Sequence, residues 1–301
     1  MLVLFLKMSG MLTITSGGDH SAYVLGFLKG VFQNKAEVTE WGKICGISAG
    51  ALIGSSLSSI GKEDRVGFLK KINHLMTSHL QFAKSWTPLG AVANVAKAFF
   101  WHKSLYKSPI QDIIQSEWTG NFKRQLFVGA FNKTRGLYET FGPSPSILQV
   151  AASASVPVVF PSVQIQNMLY EDGAVSHIIP VKEIRQHWTE GDLDLMLCYP
   201  TDYKEFLKTS DYESRFALVG SAWHTISESA WVTYNSDLDT MREICGGQDI
   251  RGGGVFSVGE KTLRVYVPKK GHYVDFTDRN FGELHAMHQH GEEVAREMFN
   301  Q

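Results

Sequence analysis

A serine with glycines two positions to either side is the first candidate for chemistry in this sequence. The segment Gly46–Gly50 reads Gly-Ile-Ser-Ala-Gly and fits the pattern G-x-S-x-G, in which a tight strand-to-helix turn presents a serine. The flanking positions must be small because the backbone is crowded at such a turn. The helix start beneath the serine favours developing negative charge. Ser48 is therefore the candidate nucleophile, with an ordinary glycine-flanked helix cap as the alternative.

Two other segments could supply what a nucleophilic serine needs, which is a base and donors for an oxyanion. The segment Ser16–Ser21 reads Ser-Gly-Gly-Asp-His-Ser and follows the first predicted strand. Bare glycine amides at such a junction can point at an anion. Further along, Asp172 precedes Gly173 at the end of another predicted strand, so a tight turn delivers a carboxylate. Either segment alone also fits an ordinary glycine turn.

The order of these segments resembles that of the patatin-like phospholipase family. The resemblance covers nearly the whole chain and includes three further segments, namely Ser104–Pro109, Ala152–Pro161 and a terminal helix. It implies one patatin-like domain over residues 1–301, an α/β fold in which helices cover both faces of a mainly parallel central sheet.

The resemblance also implies a reaction and its residues. Ser48 and Asp172 would form a catalytic dyad that hydrolyses lipid acyl esters, as a phospholipase A or lysophospholipase does, through an acyl-serine intermediate. No cofactor and no metal is required by this chemistry. The implied oxyanion donors are the backbone amides of Gly17, Gly18 and Asp19. The implied motif glycines are Gly46, Gly50 and Gly173.

The chain departs from the family pattern at both glycine-rich segments. The family loop commonly reads Gly-Gly-Gly, any residue, Arg or Lys, then Gly, whereas Ser16, His20 and Ser21 stand here at the first, fifth and sixth positions. The Asp-Gly-Gly motif is Asp-Gly-Ala here, with Ala174, and Ile178 replaces an asparagine often found before the following proline. We expect the geometry of the oxyanion site to be the property most affected.

Two alternatives stay open on sequence grounds. An α/β-hydrolase esterase with a Ser-Asp-His triad would use His272 or His285, which follow in the right order. Only one strand and one helix fit before the strand that leads to Ser48, whereas several strands precede the elbow in that fold. The second alternative is a catalytically silent relative that binds lipid or a protein partner, which the altered oxyanion loop motivates.

Apolar and β-branched runs alternate with stretches of helical period, which independently predicts an α/β fold. The predicted strands are Leu12–Thr15, Lys43–Cys45, Gln125–Phe131, Leu169–Glu171, Leu193–Tyr199 and Leu263–Val267. The predicted helices begin near Tyr23, Ala49, Arg65, Ala91, Ser108, Ser144, Tyr212 and Asp278. In the last of these helices, apolar residues at three-to-four-residue spacing predict a stripe that docks on the core.

Composition limits the functional classes. The 301 residues carry a formal net charge of −1, so no whole-molecule field would attract nucleic acid. Three widely spaced cysteines without a CxxC pair favour buried thiols in a reducing compartment, and we expect a cytoplasmic protein. The apolar run over residues 1–6 is too short for a signal-peptide core or a membrane span. Nothing in the sequence specifies an oligomeric state.

Residues 65–111 contain basic side chains and no acidic one. The basic residues are Arg65, Lys70, Lys71, Lys84, Lys97, Lys103 and Lys107. The aromatic residues Phe82, Trp86, Phe99, Phe100, Trp101 and Tyr106 are interleaved with them. A basic surface with aromatic side chains suits the headgroup region of an anionic bilayer. We therefore hypothesise peripheral membrane contact, and the alternative is that the aromatic rings pack inward while the lysines solvate the helices.

Histidines crowd the last predicted helix, but their spacing argues against a metal site. Only His285 and His288 share a helix face, and neither a cysteine nor a suitable carboxylate lies near them in the sequence. His290 falls on another face. In the glycine-rich loop, His20 is either a loop cap or a helper of the oxyanion site.

Overall fold

Five parallel strands form the centre of the protein's sheet. The computed structural model describes residues 10–34, 41–61, 64–84, 121–157, 160–209, 217–272 and 281–299. The strands are β1 (Gly10–Ile14), β2 (Trp41–Gly46), β3 (Gln125–Asn132), β4 (Leu137–Phe141), β5 (Val163–Ile165), β6 (Met168–Asp172), β7 (Leu193–Met196), β8 (Gly254–Val258) and β9 (Lys261–Tyr266). The helices are α1 (Ser21–Asn34), α2 (Ala49–Ser58), α3 (Arg65–Lys84), α4 (Ile147–Ser153), α5 (Val181–His187), α6 (Tyr203–Lys208), α7 (Ala217–Ile244) and α8 (Phe281–Phe299).

The sheet brings the ends of distant strands together. Its strand order is β5-β6-β3-β2-β1-β7-β9-β8, with β4 also paired to β3. Strands β3, β2, β1, β7 and β9 pair in parallel, and the antiparallel pairs lie at the margins. At the centre, Ile14 pairs with Gly46 on one side and with Met196 on the other. Because parallel strands end at the same edge, the loops after β1, β2 and β7 meet there.

Helices cover both faces of this sheet, as the α/β prediction requires. Alternate residues of β1 point to opposite faces, so that Leu12 belongs to one buried cluster and Met11 to the other. The first cluster includes side chains of α1, α2 and α8, and the second includes side chains of α5 and α7. The protein therefore has three layers, α/β/α.

The predicted apolar stripe of the terminal helix is buried against α1. Leu284 and Ala295 are both fully buried in α8. Two glycines permit a close approach of the helices, since a Cβ atom on Gly26 would lie 2.0 Å from the carbonyl oxygen of His288, and one on Gly291 would lie 2.1 Å from that of Tyr23. The terminal helix is thus part of the core layer.

All six predicted strands are present within a few residues of their predicted bounds, although the strand from Leu193 ends at Met196 instead of Tyr199. The predicted strands do not include β4, β5 and β8, which are short antiparallel strands with weak apolar patterns. Val255 in β8 is 66% exposed, for example. The predicted helix starts near Ala91, Ser108, Tyr212 and Asp278 lie outside the described residues.

Within the described ranges, no helix combines the length and the apolar character needed to cross a membrane.

Candidate active site

Ser48 occupies a sharp turn between β2 and α2. Its backbone has φ 57° and ψ −125°, a positive-φ conformation that residues with side chains rarely adopt. The two motif glycines make this turn sterically feasible. A Cβ atom on Gly46 would lie 2.3 Å from the carbonyl oxygen of Gly50, and one on Gly50 would lie 2.3 Å from that of Ile14. The G-x-S-x-G pattern therefore reflects real crowding, and it leaves Ser48 buried, with 5% of its surface exposed.

The end of α4 anchors the Ser48 turn. The Ser48 amide donates to the carbonyl oxygen of Ser153 at 3.0 Å and to its Oγ at 3.2 Å. The Ser153 hydroxyl in turn donates to the carbonyl oxygen of Gly129 in β3 at 2.7 Å. A capping box formed by Ser146 and Gln149 closes the other end of this helix. Ser153 thus ties the strained turn to the sheet.

Asp172 reaches the same place from the end of β6. Its backbone amide donates to the carbonyl oxygen of Ser155 at 2.9 Å, and its Oδ1 accepts from the amide of Ala174 at 2.8 Å. Only glycine fits at position 173, since a Cβ atom on Gly173 would lie 2.4 Å from the carbonyl oxygen of Gly129. Ser153 and Ser155, two positions apart, therefore hold the backbones of both candidate residues.

The side chains of Ser48 and Asp172 are neighbours. Burial raises the pKa of Asp172 to about 7, and the Ser48 hydroxyl and the Ala174 amide oppose that rise. Asp172 is 1% exposed, and its second oxygen, Oδ2, is buried without a hydrogen bond of ordinary geometry. The carboxyl group therefore has an unused oxygen, a serine hydroxyl nearby, and a pKa suited to proton transfer near neutral pH.

The glycine-rich loop begins beside the Ser48 turn, because β1 and β2 end side by side. A short 3₁₀ turn over Gly18–His20 connects β1 to α1. Gly17 has φ −177° and ψ −2°, and a Cβ atom there would lie 2.2 Å from the Cβ of Cys198. Gly18 is exposed and has φ 49°. The loop backbone thus has room only for glycine at Gly17, while the role of the Gly17, Gly18 and Asp19 amides as oxyanion donors stays a prediction.

His20 anchors this loop. Its Nε2 lies 3.0 Å from the carbonyl oxygen of His272, so that nitrogen carries a proton and donates it. Burial lowers the pKa of the His20 ring, which packs 4.9 Å from the Tyr199 ring. His272 in turn lies 3.1 Å from Nδ1 of His290, whose pKa burial lowers to about 4. Of the two roles left open for His20, these contacts match the loop cap.

The histidines that a triad would need lie elsewhere. His272 contacts His20, His290 and Glu283, and His285 contacts Gln289. Neither hydrogen-bonds to Ser48 or to Asp172. In the part of the chain that the structure describes, no three metal-ligating side chains are grouped to hold a metal ion.

Sequence reasoning missed the anchoring residues of the site. Ser153 and Ser155 lie in the Ala152–Pro161 segment, whose run of small residues was the only signal that they pack tightly. Asp237, which binds the segment after Asp172, lies in α7 and carries no local sequence signal.

Fold and site together define a class of protein: a three-layer α/β protein with a buried serine and aspartate at the carboxyl edge of a mainly parallel sheet. The sequence model of the patatin-like phospholipase family matches residues 12–184, which is more than half of the chain and includes Gly17, Ser48 and Asp172. The protein therefore belongs to the patatin-like phospholipase family, a family of lipid hydrolases.

Similar chains are also found among solved structures. VipD from Legionella pneumophila is similar at 14% sequence identity and a TM-score of 0.42, over 98% of this chain and 67% of that chain. No curated protein sequence matches this chain.

Proposed function

We propose that the protein is a serine acyl hydrolase of phospholipase A or lysophospholipase type that uses Ser48 and Asp172 as a dyad. The observation that supports this most is the buried pair itself. A carboxyl group with a pKa of about 7 adjoins a serine hydroxyl on a strained strand-to-helix turn. Such a carboxyl group can hold or release a proton at neutral pH, which a base in catalysis must do.

The reaction begins when Asp172 accepts the hydroxyl proton of Ser48 while Oγ attacks the acyl carbonyl carbon. The resulting oxyanion receives hydrogen bonds from the amides of Gly17, Gly18 and Asp19. As the ester bond breaks, the proton passes from Asp172 to the leaving alcohol oxygen. A water molecule then gives a proton to Asp172 and attacks the acyl-serine, and the return of that proton to Oγ frees the fatty acid.

The environment of Asp172 explains how a carboxylate could serve as this base. An ordinary aspartate is a weak base, but removal from water raises its proton affinity. One oxygen is already bound to the Ala174 amide, which leaves Oδ2 as the oxygen that would take the proton. Fixed proximity to the Ser48 hydroxyl supplies the remaining advantage. The reaction requires no cofactor.

The silent relative remains the second candidate, and the departures at Ser16, His20 and Ser21 favour it. Labelling with a fluorophosphonate separates the two functions. We expect covalent modification of the wild-type protein at Ser48 and none of Ser48→Ala. A folded wild-type protein that resists the label would identify a binding protein without hydrolase activity.

Lipid hydrolysis itself is tested with a mixed lipid extract and the purified protein. We expect release of free fatty acid by the wild-type protein and no release by Ser48→Ala or Asp172→Asn. Release that survives Asp172→Asn but disappears in His272→Gln or His285→Gln would support the triad esterase and contradict the dyad.

The domain organisation, the cellular location and the membrane contact of the protein form part of the same proposal. We infer one patatin-like domain over residues 1–301 in the cytoplasm, with peripheral contact to membranes through residues 65–111. Most of that segment lies outside the described residues. In its described part, Lys70 is exposed whereas Phe68 is buried in the core, so the basic side chain faces water and this ring does not.

A further inference from the structure

Asp237 is a buried carboxylate whose hydrogen bonds all go to one short segment. It lies in α7, beyond the family match, and is 2% exposed. Its Oδ1 accepts from Nδ1 of His177 at 2.8 Å, and its Oδ2 accepts from the amides of Ile178 at 2.6 Å and Ile179 at 2.9 Å. A buried charge is unfavourable unless it is bonded in this way. Asp237 therefore fixes the segment His177–Ile179 in place.

That segment closes the turn that begins at Asp172. The carbonyl oxygen of Gly173 accepts from the amides of Ser176 and His177, both at 3.0 Å. At its start, the turn is held by the bond from the Ala174 amide to the Asp172 carboxyl. Asp237 holds its other end. A shift of the segment would move the Asp172 turn directly, because only four residues separate Asp172 from His177.

The same segment also holds the glycine-rich loop. The carbonyl oxygen of Ile178 accepts from the amide of Ser16 at 2.9 Å. The Ile178 amide is bound to Asp237, so one residue connects Asp237 to the start of the Ser16–Ser21 loop. Through Ile178 the carboxylate of Asp237 reaches both the base and the predicted oxyanion donors of the site.

We propose that Asp237 is a positioning residue that sets the separation between the Asp172 turn and the oxyanion loop. This inference rests on the proposed function of Ser48 and Asp172. Asp237 would touch neither the substrate nor the reacting atoms. Its loss would displace the base relative to the donors, and a displacement of about 1 Å can lower a rate on the order of a hundredfold.

A second buried aspartate provides the matched control for a purely structural role. Asp194 is 1% exposed and accepts from Trp41 Nε1 at 2.6 Å, from Arg264 Nε at 2.7 Å and from Tyr266 OH at 2.8 Å. It lies in β7 and pairs in register with Leu12, in the middle of β1, and none of these three bonds involves a residue of the site. Removing Asp194 should destabilise the fold without moving the site.

The experiment compares Asp237→Ala, Asp237→Asn and Asp194→Ala with the wild-type protein on one soluble ester, well below their melting temperatures. We expect Asp237→Ala to lower kcat about a hundredfold with KM within about twofold, and to slow fluorophosphonate labelling of Ser48 in parallel. Asp237→Asn should keep kcat within about tenfold, because its amide oxygen can still accept from both backbone amides. Asp194→Ala should lower the free energy of unfolding and keep kcat within about threefold.

Equal losses of kcat in Asp237→Ala and Asp194→Ala at similar stability would overturn the proposal. A kcat of Asp237→Asn as low as that of Asp237→Ala would overturn it as well. If Asp237→Ala does not fold, Asp237→Glu replaces it, because the longer side chain keeps the charge but moves the acceptors. Wild-type kcat in that variant would also overturn the proposal. Wild-type protein that never labels at Ser48 would refute the proposed function and this inference together, whereas undiminished labelling of Asp237→Ala would refute this inference alone.

Discussion

Replacing Asp172 with asparagine should abolish turnover and, at alkaline pH, stabilise the protein. The asparagine keeps the shape and can still accept from the Ala174 amide, but it cannot take the Ser48 proton. It also removes a charge that the folded protein buries, with 1% of the residue exposed. An aspartate that supports the fold would lose stability when it is replaced. A catalytic base whose buried charge destabilises the fold would instead lose activity and gain stability.

The gain in the free energy of unfolding of Asp172→Asn follows from the pKa of the buried Asp172 carboxyl group. Burial raises this pKa from 3.8 to about 7, and each unit corresponds to about 1.4 kcal/mol. Because the folded state holds the proton more tightly than the unfolded chain, stability of the wild-type protein falls as pH rises between these two values and stays low above the upper one. The asparagine variant avoids this loss, which amounts to at most about 4 kcal/mol above pH 7 and nearly vanishes near pH 4.

The same pKa sets the pH dependence of the wild-type rate. The ionised fraction of Asp172 rises from about one tenth at pH 6 to about nine tenths at pH 8, so kcat should rise about tenfold over that range and then level off.

The assay is urea unfolding of the wild-type protein and Asp172→Asn at pH 5 and pH 8, with kcat on a soluble ester measured alongside. Glu171→Gln is the control, because Glu171 is the neighbouring carboxylate and forms an ion pair with Lys133. We expect no gain in stability in that control, because the substitution removes the ion pair with Lys133. An Asp172→Asn protein that is no more stable at pH 8 than the wild type would refute the reasoning from burial. Retained turnover in that variant would refute the dyad.

Three further predictions concern the loop, the basic segment and the histidines. Gly17→Ala should lower kcat about a hundredfold, since the added Cβ atom would lie 2.2 Å from the Cβ of Cys198. Adding Cys198→Gly to this variant should recover part of the lost kcat. An unchanged kcat in Gly17→Ala would place the oxyanion site elsewhere. Changing three lysines to glutamine should weaken binding to anionic vesicles and spare hydrolysis of a soluble ester, and equal losses in both assays would indicate a folding role. These lysines are Lys84, Lys97 and Lys103. Single changes of four histidines to glutamine should each leave measurable turnover, and a variant as inactive as Ser48→Ala would reveal a catalytic histidine. These histidines are His20, His177, His272 and His285.

The family, the fold class and the candidate residues could be predicted from the sequence because their signals are local. The glycines at Gly46 and Gly50 are needed within one turn, where any Cβ atom would meet backbone about 2 Å away. Alternating strand and helix periods likewise predict a parallel sheet covered on both faces. Once the sheet is parallel, the segments that follow β1 and β2 must meet at one edge.

Other properties depended on contacts between segments that are far apart in the chain. The sequence around Asp172 resembles an ordinary turn, and only packing on all sides raises its pKa to about 7. The partners of Asp237 lie about sixty positions before it in the chain. Short antiparallel strands such as β8, with exposed residues and weak periodicity, escaped prediction for a related reason. Residue types and spacing determined which groups could react, whereas burial and the positions of those groups were decided by the tertiary structure, since desolvation and distance arise only when separate elements pack together.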